Sequence, residues 1–346
     1  MRHRCNNSCL GKRLYEPSAK IKIQNSKNQH CAIGATIQNS KIKIQKSYSP
    51  GYSLPSLRGG GSHRRWRGGG AVGSFSLCAA RGWGFNFTNM KNILTAGLYF
   101  VVFMLIQIIV QGSAALLCKQ MSVTMSSTAL VLTSIISGAI TIGVFAWRRW
   151  SPFSREYMQQ RRWDVFVWTA LMALGIVAPM QLIIDLSGLE MPVTAQQLFT
   201  QLLSNLWGFL AVAVVVPLAE EMAFRGAILR TLLDHFGPSG RWWAILLSAL
   251  LFGMAHGNAV QFVNGTVVGL LLGWLYWRTR SIAPGVVFHL VNNAIAFFTF
   301  RFMPGLQNMK LTDFFGGDYA RLALFILCSL CVLVPAWWQV KRLTDR

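Results

Sequence analysis

The chain has 346 residues, of which 53% are hydrophobic and only 13% charged, with 13 Trp and a mean hydropathy of +0.41. That balance excludes an ordinary soluble domain and reads as an all-α, polytopic membrane protein. The net charge of +22 does not make it a nucleic-acid binder: residues 1–89 hold 15 Lys and Arg against the single Glu16, leaving 18 basic and 10 acidic residues, net +8, for the rest.

Residues 1–89 repeat themselves. Ile-Gln-Asn-Ser-Lys occurs at 23–27 and 37–41, Lys-Ile-Lys-Ile-Gln at 20–24 and 41–45, and glycine triplets follow at 59–61 and 68–70. Basic, low-complexity sequence buries too little apolar surface to offset its ordering entropy, so this stretch is expected to be a disordered extension. Met90-Lys91-Asn92, directly before an apolar run, reads as the true start of a bacterial membrane protein, and 90–346 as the membrane domain.

From residue 94 onward about eight spans are expected, at 94–118, 125–147, 164–186, 200–231, 242–258, 260–277, 282–300 and 320–340, each near the ~20 residues that cross ~30 Å of hydrocarbon. Lys and Arg gather in alternate loops. Arg148, Arg149, Arg155, Arg161 and Arg162 follow the second span, Arg230 and Arg241 the fourth, Arg278 and Arg280 the sixth, and Lys341, Arg342 and Arg346 the eighth. This asymmetry places both termini of the membrane domain in the cytoplasm, and the compact loops and the Met90 start point to a bacterial plasma membrane. Trp242, Trp243, Trp274, Trp277, Trp337 and Trp338 near span ends read as interfacial anchors, and Gly265, Gly269 and Gly273 as a close-packing face. Of the seven cysteines, Cys5, Cys9, Cys31 and Cys78 lie in the extension, and Cys118, Cys328 and Cys331 in apolar runs. None has a partner motif, so no redox or metal chemistry is assigned to them.

Against this apolar background several polar side chains stand out. Glu220, Glu221, His256, His289 and Asn293 fall inside expected spans, where an ionisable group at the bilayer centre costs at least ~2.5–3.5 kcal/mol and is a functional candidate by default. At ~1.5 Å per residue, Glu220, His256 and His289 lie roughly 14–22 Å from the arginines at the cytoplasmic ends of their helices, so three helices bring polar groups to a similar depth. Glu221 and Arg225 are four apart on one helix face, where an ion pair makes both charges tolerable. Glu220 is turned about 100° away and is left free to accept a proton. His289 and Asn293, also four apart, present an imidazole and an amide together, a pair able to donate to a developing oxyanion. Phe252, one turn before His256, walls the same face with an apolar ring.

In this order and spacing, Glu220-Glu221-x-x-x-Arg225, Phe252-x-x-x-His256 and His289-x-x-x-Asn293 resemble the signature motifs of the CPBP intramembrane protease family. That family joins eukaryotic CAAX prenyl endopeptidases to bacterial Abi proteins linked with bacteriocin maturation and self-immunity. The resemblance covers roughly residues 200–300. It implies a hydrolase that cuts a membrane-associated or lipidated peptide or protein within the bilayer. Glu220 with His256 would activate water, His289 with Asn293 would hold the oxyanion, and Glu221 with Arg225 would brace the glutamate helix.

A cofactor-free glutamate mechanism is favoured. Zinc held by Glu220, His256 and His289 remains the metal alternative, although no His-Glu-x-x-His segment is present. A proton-coupled transporter and a non-catalytic immunity or binding protein of the same fold stay open as other classes.

Overall fold

The computed structural model describes residues 32–38, 41–47, 87–152, 162–306 and 309–345. Cys5, Cys9, Cys31, Cys78, Arg155, Arg161, Arg346 and the glycine triplets at 59–61 and 68–70 lie outside the described residues. The chain divides into one unit at 1–77 and another at 78–346. In the first, where the sequence leads one to expect no fixed structure, strands β1 (Ala32–Gln38) and β2 (Lys41–Ser47) pair antiparallel, in a register running from Ala32 opposite Ser47 to Gln38 opposite Lys41.

The second unit is helical among its described residues. Its elements are α1 (Phe87–Gln120), α2 (Ser127–Trp147), α3 (Trp163–Ser187), α4 (Val193–Ser204), α5 (210–236), α6 (Arg241–Met254), α7 (Ala259–Thr279), α8 (Ala283–Phe302), the single turn α9 (Leu311–Phe314) and α10 (Tyr319–Leu343). Their ends follow ordinary capping chemistry. Ser126 Oγ accepts from Ala129 N, Asn258 Oδ1 from Gln261 N, and Asp318 Oδ1 from Ala320 N and Arg321 N, each satisfying an amide that the first helical turn leaves free. Gly188, with φ of +64°, closes α3 in the left-handed conformation that costs glycine least.

Six of these helices are long and apolar enough to cross a membrane: Lys91–Gln120 within α1, then α2, α3, α7, α8 and α10. The chain is therefore an integral, multi-pass membrane protein, but the eight full spans expected from the sequence are not all present as single long apolar helices. Two of the expected spans differ. The one placed at 200–231 is divided at Asn205, whose side-chain carbonyl accepts from Trp207 N at 2.9 Å. This local turn competes with helix continuation and separates the amphipathic α4 from α5. The one placed at 242–258 ends at Met254, so α6 has 14 residues and leaves His256 beyond its C-terminus.

Two apolar cores flank the polar residues. One gathers Tyr99, Phe103, Phe145, Phe224 and Phe252 from α1, α2, α5 and α6. The other gathers Met172, Leu272, Phe288 and Ala336 from α3, α7, α8 and α10. Trp274, expected at the membrane interface, belongs to this second core at 7% exposure, its ring centroid 5.8 Å from that of Trp337. Trp242, Trp243 and Trp338 are exposed. The glycine stripe of α7 lies against α6: a Cβ on Gly269 would stand 3.0 Å from the Cα of Ala249, so only hydrogen lets the two backbones come this close.

Candidate active site

The site begins with an irregularity in α5. Residues Val216–Glu220 are α-helical, whereas Leu210–Val215 before them and Glu221–Leu229 after them wind as wider π turns. Such turns bond each N–H five residues back and recur at functional sites. Glu220 and Glu221 straddle the second junction, and their surroundings differ. Glu221 is fully buried and its Oε1 lies 2.8 Å from Nη1 of Arg225, itself 1% exposed, so the ion pair expected from their spacing is formed inside the protein. Glu220 keeps 14% side-chain exposure and stays reachable.

The guanidinium of Arg225 is held by more than its carboxylate. Its Nη2 donates to the backbone carbonyl of Gly269 in α7 at 3.4 Å, and its Cζ sits 4.4 Å from the centre of the Phe252 ring in α6. A delocalised, weakly hydrated cation over an aromatic face is the most tolerable form of buried positive charge. One side chain thus ties α5 to α6 and α7.

His289 of α8 lies between the two glutamates. Its Nε2 is 3.5 Å from Glu220 Oε2, and its Nδ1 is 3.6 Å from Glu221 Oε1. Phe252 meets it edge to face at 5.8 Å and does the same to His256 at 5.1 Å, so the ring expected to wall the His256 face also borders His289. His256, placed by the sequence inside a span, sits in the turn that follows α6. There its Nδ1 is 2.9 Å from Phe252 O. A carbonyl can only accept, so Nδ1 is the nitrogen that donates to it.

Asn293 lies one turn beyond His289. A second N–H acceptor is already waiting there: Asn293 Nδ2 donates to Val212 O at 2.9 Å, joining α8 to the first π turn of α5. Asn292 Nδ2 approaches Asn293 Oδ1 at 3.4 Å.

Two contributors are not conspicuous in the sequence. The Val212 carbonyl is backbone and leaves no side-chain signal. Gly285 is one helical turn before His289, on the face that also carries Asn293, and a Cβ there would strike Glu221 Oε2 and stand 3.1 Å from Glu221 Cδ. The four-residue step from His289 back to Gly285 was the available clue.

Among the described residues, no group of three or more His, Cys, Asp and Glu side chains is arranged to hold a metal ion. The set Glu220, His256 and His289 therefore does not fit the zinc alternative as placed.

Residues 202–295 match the family model described as Rce1-like, type II CAAX prenyl endopeptidase. YdiL of Bacillus subtilis (strain 168), a proposed membrane peptidase, is 30% identical over 81 residues, which are 23% of this chain and 32% of the relative. The chain thus spans about a third of the length of that relative. No solved structure gives a significant match. The segment that is similar to the Rce1-like family model of type II CAAX prenyl endopeptidases contains Glu220, Glu221, Arg225, Phe252, His256, His289 and Asn293, with the three motifs in order.

Proposed function

We propose that this protein is an intramembrane endopeptidase that hydrolyses a peptide bond of a membrane-associated or lipidated protein or peptide, using a water activated by Glu220. The observation that carries the proposal is the contrast between two adjacent carboxylates at one buried site. Glu221 is locked to Arg225 at 2.8 Å, while Glu220 faces His289 Nε2 at 3.5 Å and retains access. A base must reach its proton within hydrogen-bond range, and only Glu220 has the freedom to do so.

In this reaction Glu220 takes a proton from water as the water oxygen bonds to the scissile carbonyl carbon. The carbonyl electron pair moves onto oxygen, and the resulting oxyanion is met by N–H donors from His289 and Asn293. His256 assists Glu220 in orienting the water. Collapse of the tetrahedral intermediate breaks the C–N bond, and the proton held by Glu220 passes to the leaving nitrogen. Glu221 and Arg225 hold α5 in place and do not touch the substrate. The Lys and Arg asymmetry of the loops supports cytoplasmic termini.

The experiment is cleavage of membrane-anchored and lipidated peptides by the detergent-purified protein, with and without ortho-phenanthroline, beside the Glu220→Gln variant. Cleavage that survives the chelator and vanishes in the variant is expected. Cleavage lost to the chelator and restored by zinc would replace the mechanism with a metal-dependent one. Cleavage that persists in Glu220→Gln would refute the role of Glu220.

A further inference from the structure

We propose that Pro217 is a positioning residue for Asn293, acting through the carbonyl of Val212. In the first π turn the N–H of Val216 reaches back five residues to Ala211 O. The next donor in that register would be the N–H of residue 217, and its acceptor would be Val212 O. Residue 217 is proline and has no N–H.

The Val212 carbonyl is therefore left without a donor in that register. It belongs to a residue only 9% exposed, where water is a poor substitute. Asn293 fills the vacancy from another helix, at 2.9 Å. Because a carbonyl accepts and never donates, this contact fixes which end of the Asn293 amide faces α5. The nitrogen must point at Val212, and the oxygen must point away, toward Asn292 Nδ2 at 3.4 Å.

A primary amide has two N–H groups. With one spent on Val212 O, the other is held in a single direction, pre-set for an oxyanion and requiring no reorganisation as charge develops. Pro217 thus acts four residues upstream of Glu221 without touching the reacting atoms. Proline in a helix is ordinarily a defect because it removes a hydrogen bond. Here the missing donor is the feature that reserves an acceptor for Asn293.

The activity part of this inference rests on the proposed endopeptidase reading, so the test has an arm that does not need cleavage. Pro217→Ala, Asn293→Ala and the double variant are compared with the parent by thermal unfolding in detergent. Replacing a helical proline by alanine favours the helix, so the first variant folds. In the parent, Asn293→Ala strands Val212 O and lowers the Tm. In the Pro217→Ala background the new N–H satisfies that carbonyl, and the same substitution lowers the Tm by less than half as much. Equal shifts in the two backgrounds would overturn the proposal whether or not the protein cleaves any peptide.

Where cleavage is observed, Pro217→Ala lowers kcat by about 2- to 10-fold, the range one neutral hydrogen bond accounts for, with KM unchanged. It has no further effect in Asn293→Ala. An unchanged kcat, or an equal fall in the Asn293→Ala background, would show that Pro217 does not act through Asn293.

Discussion

Adding one methyl group to Gly285 tests how the buried ion pair is packed. Alanine in place of a helical glycine is ordinarily favourable by up to ~1 kcal/mol, because the unfolded chain loses freedom. At Gly285 that gain meets an obstacle: the new Cβ overlaps Glu221 Oε2 and stands 3.1 Å from Glu221 Cδ. Glu221 is wholly buried and bound to Arg225, so its carboxylate has no exposed position to retreat to. Pulling a buried pair apart costs ~3–5 kcal/mol. The net effect of Gly285→Ala is then a loss of at least ~2 kcal/mol, or ~4–8 °C in Tm for a domain of this size. Gly143 in α2 supplies the control, since a Cβ there meets nothing within 4 Å. Gly143→Ala is expected to hold or raise the stability, by up to ~1 kcal/mol. Thermal unfolding of both variants, followed by size-exclusion after heating, reads the difference. Equal shifts, or a Gly285→Ala protein as stable as the parent, would refute the packing argument.

Three other outcomes are expected. Glu220→Gln keeps the shape of the side chain and removes its basicity, so cleavage falls by at least ~100-fold while the Tm stays within a few degrees; a correctly folded variant with parental turnover would contradict the assignment. Arg225→Met leaves Glu221 buried without its partner and costs ~3–5 kcal/mol, whereas combining it with Glu221→Leu recovers most of that loss, because a matched apolar pair has no stranded charge. Unfolding of the single and double variants checks this, and a double variant less stable than the single would count against it. Asn293→Ala lowers kcat by ~10²–10³-fold with little change in KM, as removal of an oxyanion donor does, and an assay across substrate concentration would expose the opposite pattern, a raised KM at constant kcat.

The polar residues were legible because they are costly where they stand. Glu221 and Arg225 are four apart, and the structure pairs them; Glu220 and His289 come from distant segments, yet hydrophobic surroundings alone mark both as exceptions. The long apolar helices were also legible, since α2 and α3 begin and end within about three residues of the expected 125–147 and 164–186. Hydropathy failed where a short polar turn is diluted by apolar neighbours. Averaged over a span, Asn205 is one residue among many, but its Asx-type bond to Trp207 N ends a helix. His256 was misplaced for a related reason: the apolar run continues to Ala255, and hydropathy does not report that Gly257, with φ of +71°, turns the chain there. The partner of Asn293 could not be found at all, since no side chain marks a backbone carbonyl whose donor has been removed by a proline five positions on.

The brevity of α6 has a consequence for how the bilayer meets this protein. Fourteen residues rise about 21 Å, some 9 Å less than the hydrocarbon core. Exposed Trp242 and Trp243 mark one end of the helix as interfacial. The opposite end, with the turn at 255–258, consequently stops short of the far headgroups, at a depth where irregular backbone survives only against protein or water. Either the lipid thins around this edge or an inlet forms above Gly257 and Asn258. In both cases water is expected at the rim of His256 from one side, as the proposed hydrolysis requires.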